Sequence, residues 1–257
     1  MEVNFGVCRL SIISVRKEPT HLSAQTTQLL FGDHYLVMAE SDDKKWLYIQ
    51  IHFDKSIGWI HSKQHHSITK EYYEQINTVD FKITTDVCAT ILYKKVPLSI
   101  VMGSIVPISQ SELFRMEEQF AFNGEAKSVA QKRDVEFLCA VAMKYLNAPE
   151  QEGGRTAFGI DGVGLVQGIY RLAGYALARD FLQWPFHYQV TSLPQKGDIV
   201  ILQQGDAKSV GCMVDQDKVM HVDGKVRIDL RNDNSLYHAE SNTISHTIES
   251  SLRVLTS

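Results

Sequence analysis

A change of hydrophobic period near residue 126 constrains this chain more than any other feature. Before it, apolar and polar residues alternate in short runs, as in Phe81-Lys82-Ile83-Thr84 and in the aromatic-rich stretch Trp46-Leu47-Tyr48-Ile49-Gln50-Ile51. After it, Val135, Leu138, Cys139, Ala142 and Leu146 recur at helical spacing, and Leu165, Ile169, Leu172 and Ala173 do so again. From residue 197 onward the pattern returns to strands. Helices followed by antiparallel strands predict an α+β fold for the last half. Local signals set its punctuation. Ser128 and Gln131 have the spacing of a capping box. Asp161 precedes the second helix, and Gly174 suits its end. Asp223-Gly224 predicts a tight hairpin between two strands.

The first half reads as two small β-regions. Residues 1–66 carry strand-like segments broken by Pro19 and by the turn Gly32-Asp33. Residues 67–79 are polar and predict a connection with a turn or two of helix. Residues 80–125 alternate again, with strand-like segments at 81–84, 89–93 and 100–108. The predicted helical and sheet region then spans 126–257.

Composition narrows the function classes. The chain has 257 residues, 44% hydrophobic and 22% charged, which suits a globular protein with a real core. Its net charge of −4 gives no reason to expect nucleic acid or an anionic membrane as partner. No apolar run approaches the roughly 20 residues that span a bilayer, so membrane insertion is not expected. The start lacks a basic stretch followed by a long apolar segment, which predicts no signal peptide. A cytoplasmic location is expected if Met1 is the native start, and the cell envelope if a leader has been removed. Cys8, Cys88, Cys139 and Cys212 are far apart and read as buried thiols, with neither a zinc site nor a disulfide framework. The ten histidines show no metal-binding spacing, and no cofactor is expected.

Two resemblances add to this reading. Ser14-Val15-Arg16, the Leu29-to-Asp33 hairpin, Trp46 to Ile49 and Gly58-Trp59-Ile60 resemble bacterial SH3-like domains. Residues 80–125 look like a second, more degenerate copy. Further on come Gly153-Gly154-Arg155, Asp161-Gly162-Val163-Gly164-Leu165 and Tyr170-Arg171-Leu172-Ala173-Gly174. They are followed by Leu177-Ala178-Arg179-Asp180, Gln195-Lys196-Gly197-Asp198-Ile199, Ser209-Val210-Gly211-Cys212 and Met220-His221-Val222-Asp223-Gly224. From about residue 140 to 257 these resemble, in order and spacing, the NlpC/P60 cysteine peptidases. The front end is similar to members that act on murein peptides after L-alanyl-γ-D-glutamate. The resemblance implies a papain-like domain behind two small SH3-like barrels.

It also implies a catalytic thiol at a helix N-terminus, where unpaired N–H groups favour the thiolate. A histidine on the facing sheet takes its proton, and a second polar residue orients that histidine. Here Gly162 occupies the thiol position and has no side chain. Ser209 occupies the base position and does not titrate near neutral pH. His221 alone keeps a family-like residue, at the orienting position. Val163 stands where the family has Ser, and Pro149-Glu150-Gln151-Glu152 replaces aromatic residues that wall the groove. Loss of nucleophile, base and wall together predicts an inactive relative that binds a murein-type peptide or a protein partner. The alternative is an active γ-D-glutamyl endopeptidase with a relocated nucleophile. Cys212, three residues from Ser209 on a strand, is expected to face away from the site. By resemblance, Asp161 and Asp180 hold a ligand amine; as local chemistry, Asp161 caps its helix and Asp180 pairs with a cation. His221 is either part of the ligand pocket or a satisfied core histidine. His187 and His238 read as surface residues.

Overall fold

The computed structural model describes residues 4–78, 80–106, 120–238, 241 and 243–255. It divides into two compact units, Met1–Lys132 and Arg133–Ser257.

The N-terminal unit begins with a seven-stranded antiparallel sheet in the order β3-β2-β6-β5-β4-β1-β7. Its strands are β1 (Asn4–Val7), β2 (Ile12–Arg16), β3 (Gln25–Leu30), β4 (His34–Glu40), β5 (Trp46–Ile51), β6 (Ile57–His61) and β7 (Ser67–Ile68). Alternation puts Ile13, Val15, Leu29, Tyr35, Ile49, Ile51 and Ile60 into one core. The polar connection forms α1 (Lys70–Thr78). Tyr73 of this helix packs on Phe5 and donates to or accepts from His52 Nδ1 at 3.1 Å.

The second β-region consists of β8 (Lys82–Thr84), β9 (Cys88–Tyr93), β10 (Val96–Val101), β11 (Ile105–Val106), β12 (Phe120–Asn123) and β13 (Ala126–Ser128). They form two three-stranded sheets, β10-β9-β12 and β11-β8-β13. Pro107 and Ile108, at the end of the strand predicted over 100–108, lie outside the described residues. Phe31, from the β3–β4 turn, is buried among Ile91, Ile100 and Val106 and joins this core to the first sheet. The adjoining Gly32 has φ +85°, and a Cβ there would sit 2.5 Å from the Ile105 Cβ. The turn therefore needs glycine for both conformation and space.

The border near 126 falls differently from the sequence reading. Ala126–Ser128 pairs with β8, and the unit runs on to Lys132. Ser128 does not cap a helix; its hydroxyl bonds Asp80 at 2.5 Å. The first helix of the second unit, α2 (Val135–Met143), is capped by Asp134, which accepts from the Phe137 N–H at 2.9 Å. A carboxylate immediately before the apolar face outcompetes a hydroxyl seven residues upstream.

The C-terminal unit continues with β14 (Arg155–Thr156), β15 (Gly159–Ile160), α3 (Gly162–Leu172) and α4 (Trp184–His187). Then come β16 (Gln189–Thr191), β17 (Ile199–Gln204), β18 (Ala207–Asp215), β19 (Lys218–Asp223), β20 (Lys225–Asn232), β21 (Ser235–Tyr237) and β22 (Ile244–Arg253). Gly224, at φ +70°, makes the predicted turn between β19 and β20. The expected antiparallel sheet closes on itself. β17 to β22 pair in sequence, and β22 also pairs back with β17 and with β21. Val200, Leu202, Met213, Val219, Leu236 and Ile248 fill this barrel. The opposite face of β18 packs on α3, whose Leu165, Val166, Ile169 and Tyr170 are fully buried.

Candidate functional site

The site is built where the N-terminus of α3 meets β18. Asp161 caps the helix, its Oδ1 accepting from the Gly164 N–H at 2.6 Å. Its Oδ2 accepts from the Gly153 N–H at 2.9 Å and from the Arg179 guanidinium. One carboxylate thus ties the Gly-Gly loop to the helix start and neutralises Arg179. Arg179 also reaches the buried Gln167, whose own amide donates to the Leu177 carbonyl at 2.9 Å. Asp180 is exposed, and its Oδ1 accepts from the Leu182 N–H at 3.1 Å, capping a 3-10 turn. The two carboxylates adjoin in sequence logic but have separate local duties: Asp161 accepts three donors, Asp180 one.

Gly162 opens the helix. A Cβ built there would point at β18 and lie 3.1 Å from the Val210 carbonyl oxygen and 3.5 Å from its nitrogen. A side chain at this position, which the family resemblance assigns to the thiol, would therefore meet β18 at Val210. Ser209 pairs with Leu202, a residue of the barrel interior, and is half-buried. Gly211, two residues on, lies against β19; a Cβ on it would be 3.1 Å from the His221 Cβ. Ser209, Gly211 and His221 follow one another along the same side of neighbouring strands. Ser209 and His221 thus lie on the barrel side of the β18–β19 pair, whereas Gly162 approaches β18 at Val210, on the side that packs on α3.

His221 is fully buried. Its Nε2 bonds Asp229 Oδ2 at 3.0 Å, and its ring meets His246 edge-on with centroids 4.8 Å apart. Its Nδ1 has no hydrogen-bond partner among the described residues. Asp229 is the hub of this cluster. It also accepts from Arg227 at 2.9 Å and from the Ser245 hydroxyl at 2.8 Å. Arg227 in turn pairs with Asp223 at 3.0 Å. Burial alone pushes the Asp229 carboxyl up, but the donors His221, Ser245 and Arg227 outweigh it and hold the group well below the usual carboxylate range. The residues that sequence reasoning missed are Asp229, Arg227, Ser245 and His246. A signal was present: Arg227 and Asp229 are two apart on a predicted strand, so they share a face.

Burial, with His221 as its neighbour, lowers the pKa of His246 below 6.5. Burial, with His34 and Lys55 nearby, lowers that of His52 from 6.5 to about 4. For both groups the unfolded chain binds the proton more readily than the folded one. Stability from this source is complete above pH about 6.5 and is lost as pH falls from there toward the folded values. Urea unfolding at several pH values is expected to show a loss on the order of 1 kcal/mol as pH falls below about 6.5, solvent screening of the half-buried His52 keeping the effect small. A midpoint that stays level over this range would contradict the buried neutral imidazoles.

Cys88, read from the sequence as a buried thiol, is exposed on β9 of the N-terminal unit, and the two thiols of the C-terminal unit are poorly placed as nucleophiles. Cys212 pairs with Ile199, is fully buried, and has its thiol pushed far up by that burial. Cys139 lies on the buried side of α2, and burial pushes its thiol up to about 11. His187 and His238 do not join the site; His187 is exposed, and His238 Nδ1 accepts from the Ser241 N–H at 3.1 Å. The segment read as a replaced groove wall is held in place: Glu150 accepts from the Gly224 N–H at 2.7 Å, and Gln151 packs against Gly159. Among the described residues, no group of three or more His, Cys, Asp or Glu could hold a metal ion.

Comparisons with known proteins bear on the domains and the fold. A family model described as the NlpC/P60 family matches residues 151–245, and one described as a bacterial dipeptidyl-peptidase Sh3 domain matches residues 15–64. A solved NlpC/P60 family protein from Bacillus cereus ATCC 10987 superposes with a TM-score of 0.76 at 17% identity, over 97% of this chain and 99% of that one. An NlpC/P60 endopeptidase from Photobacterium damselae subsp. piscicida gives 0.64 at 15% identity, over 97% of this chain and 65% of its own. At these identities the likeness is one of fold. No curated protein matches the sequence.

Proposed function

Because the chain carries a domain of the NlpC/P60 cysteine peptidase family behind a bacterial SH3 domain, we propose that it binds a murein-type peptide, or a protein partner, without cleaving it. The observation that carries this reading is Gly162. The helix N-terminus that would activate a thiol offers only backbone there, aimed at Val210 of β18. Ser209 beside it has no means of accepting a proton near neutral pH. His221, which would orient a base, spends one nitrogen on Asp229 instead. The second β-region is read as a degenerate SH3-like module, supported by its two small antiparallel sheets. Both modules fit a role in binding and positioning.

Asp161 and Asp180 are proposed as the acidic side of the ligand groove. Asp180 is the stronger attractor of an ammonium group, since it is exposed and accepts one backbone donor, whereas Asp161 already faces Arg179. Calorimetry with L-alanyl-γ-D-glutamyl-diaminopimelate tests this. Saturable heat that is weakened several-fold in Asp180→Asn is expected. No heat at millimolar peptide would turn the reading toward a protein partner. The second reading, an active endopeptidase with a moved nucleophile, would require another thiol, and the two in the C-terminal unit are Cys212 and Cys139. Their burial and raised thiol pKa values oppose it. Any hydrolysis abolished by iodoacetamide would favour that second reading.

A further inference from the structure

From Phe181 to Gln195 the chain has no charged residue, yet much of this stretch is at the surface. Leu182, Phe186, Val190 and Leu193 are 53%, 80%, 56% and 76% exposed. Trp184, fully buried and donating to the Ala178 carbonyl at 2.9 Å, fixes the segment to the unit. The exposed side chains therefore stand on an anchored element. The segment includes β16, which lies at the end of the sheet order and, among the described residues, pairs with β22 and no other strand. Val190 lies opposite the buried Leu252 and overhangs the core at that edge.

We infer that this edge is a docking surface for a second copy of the same chain, with β16 pairing antiparallel to β16 of the other copy about a two-fold axis at Val190. A two-fold contact sets each residue near the axis against its own counterpart, so any charge there meets a like charge. A charge-free segment fits itself, and it offers nothing to a charged partner. An uncharged edge carrying large apolar residues is also what lone sheet edges ordinarily avoid. Four side chains and a three-residue strand make a small contact, well under the roughly 800 Å² per partner of a standard interface. The dimer is accordingly weak and concentration-dependent, forming over roughly 10 µM to 1 mM.

Analytical ultracentrifugation of the full chain across that range tests the inference. The expected result is a monomer–dimer equilibrium in the unaltered protein. Val190→Lys and Val190→Glu, each alone, weaken it about tenfold or more, because each places a charge against its own copy. An equimolar mixture of the two variants restores dimerisation, since residue 190 then faces the opposite charge. Val190 is exposed, so both variants keep the fold, and an unchanged circular dichroism melt checks this. A monomer at every concentration overturns the inference. So does a dimer that either variant leaves intact, or a mixture that is no better than its components.

Discussion

Asp229→Ala is expected to destabilise the C-terminal unit by about 3–5 kcal/mol. The carboxylate is 1% exposed and accepts from His221, Arg227 and Ser245, which belong to β19, β20 and β22. Its removal leaves the Arg227 guanidinium half-compensated by Asp223 and strips His221 of the acceptor that fixes its ring. The half-buried hydroxyl of Ser245 loses a partner as well, though it keeps a contact of 3.3 Å to the Leu236 carbonyl. Because β22 is the strand that closes the barrel, the loss falls on closure, and hydrogen exchange should quicken first along β20 to β22. Asp229→Asn keeps the volume and can still accept, so it is expected to cost less than the alanine variant. Denaturant unfolding followed by circular dichroism measures both. A loss under about 1 kcal/mol for Asp229→Ala would mean that the cluster is solvated and holds nothing together.

The second large effect is a gain. Gly162→Cys combined with Ser209→His is expected to create hydrolysis of the murein-type peptide where the unaltered protein has none. The new Cβ at 162 meets the Val210 carbonyl at 3.1 Å, a contact that β18 must relieve by a few tenths of an ångström. The thiol would then lie at the N-terminus of an eleven-residue helix, where the dipole favours the thiolate. An imidazole at 209 would stand on the strand that this thiol faces. It would also lie toward His221, whose Nδ1 has no hydrogen-bond partner among the described residues. Each single variant is expected to stay inert, since the thiol lacks its base and the base lacks its nucleophile. A peptide-cleavage assay by mass analysis distinguishes the three variants. Activity in Gly162→Cys alone would mean that another group already serves as base.

The sequence made the site's scaffold legible where one residue type has one local duty. Asp161 before an apolar helical stripe and Gly174 after it bound α3 closely, the helix running Gly162–Leu172 with Ala173 as its C-cap. Asp223-Gly224 fixed the β19–β20 hairpin and with it the register that buries His221. What escaped was set by long-range pairing. β22 is ten residues long, but its sequence mixes Ser, His, Thr and Glu with few apolar residues, so no apolar alternation marks its length. Its pairing with both β17 and β21 closes the expected antiparallel sheet into a barrel, and no local pattern encodes such closure. The same closure brings Ser245 and His246 to Asp229. An acid and a base on one strand face were visible, but the histidine that joins them came from the strand before. Capping near residue 128 misled because a hydroxyl and an amide at the right spacing recur by chance; Asp134 lay nearer the apolar face. For Asp161 both readings had been open, and the cap and the Arg179 pair are what the fold displays.

Prolonged incubation of the unaltered protein with L-alanyl-γ-D-glutamyl-diaminopimelate, followed by mass analysis, tests the central claim most directly. An intact peptide at every time point, under reducing conditions that keep all four thiols free, is the result expected of a site whose nucleophile position is Gly162. Appearance of the free dipeptide and diaminopimelate, reproducible across independent preparations, would contradict it.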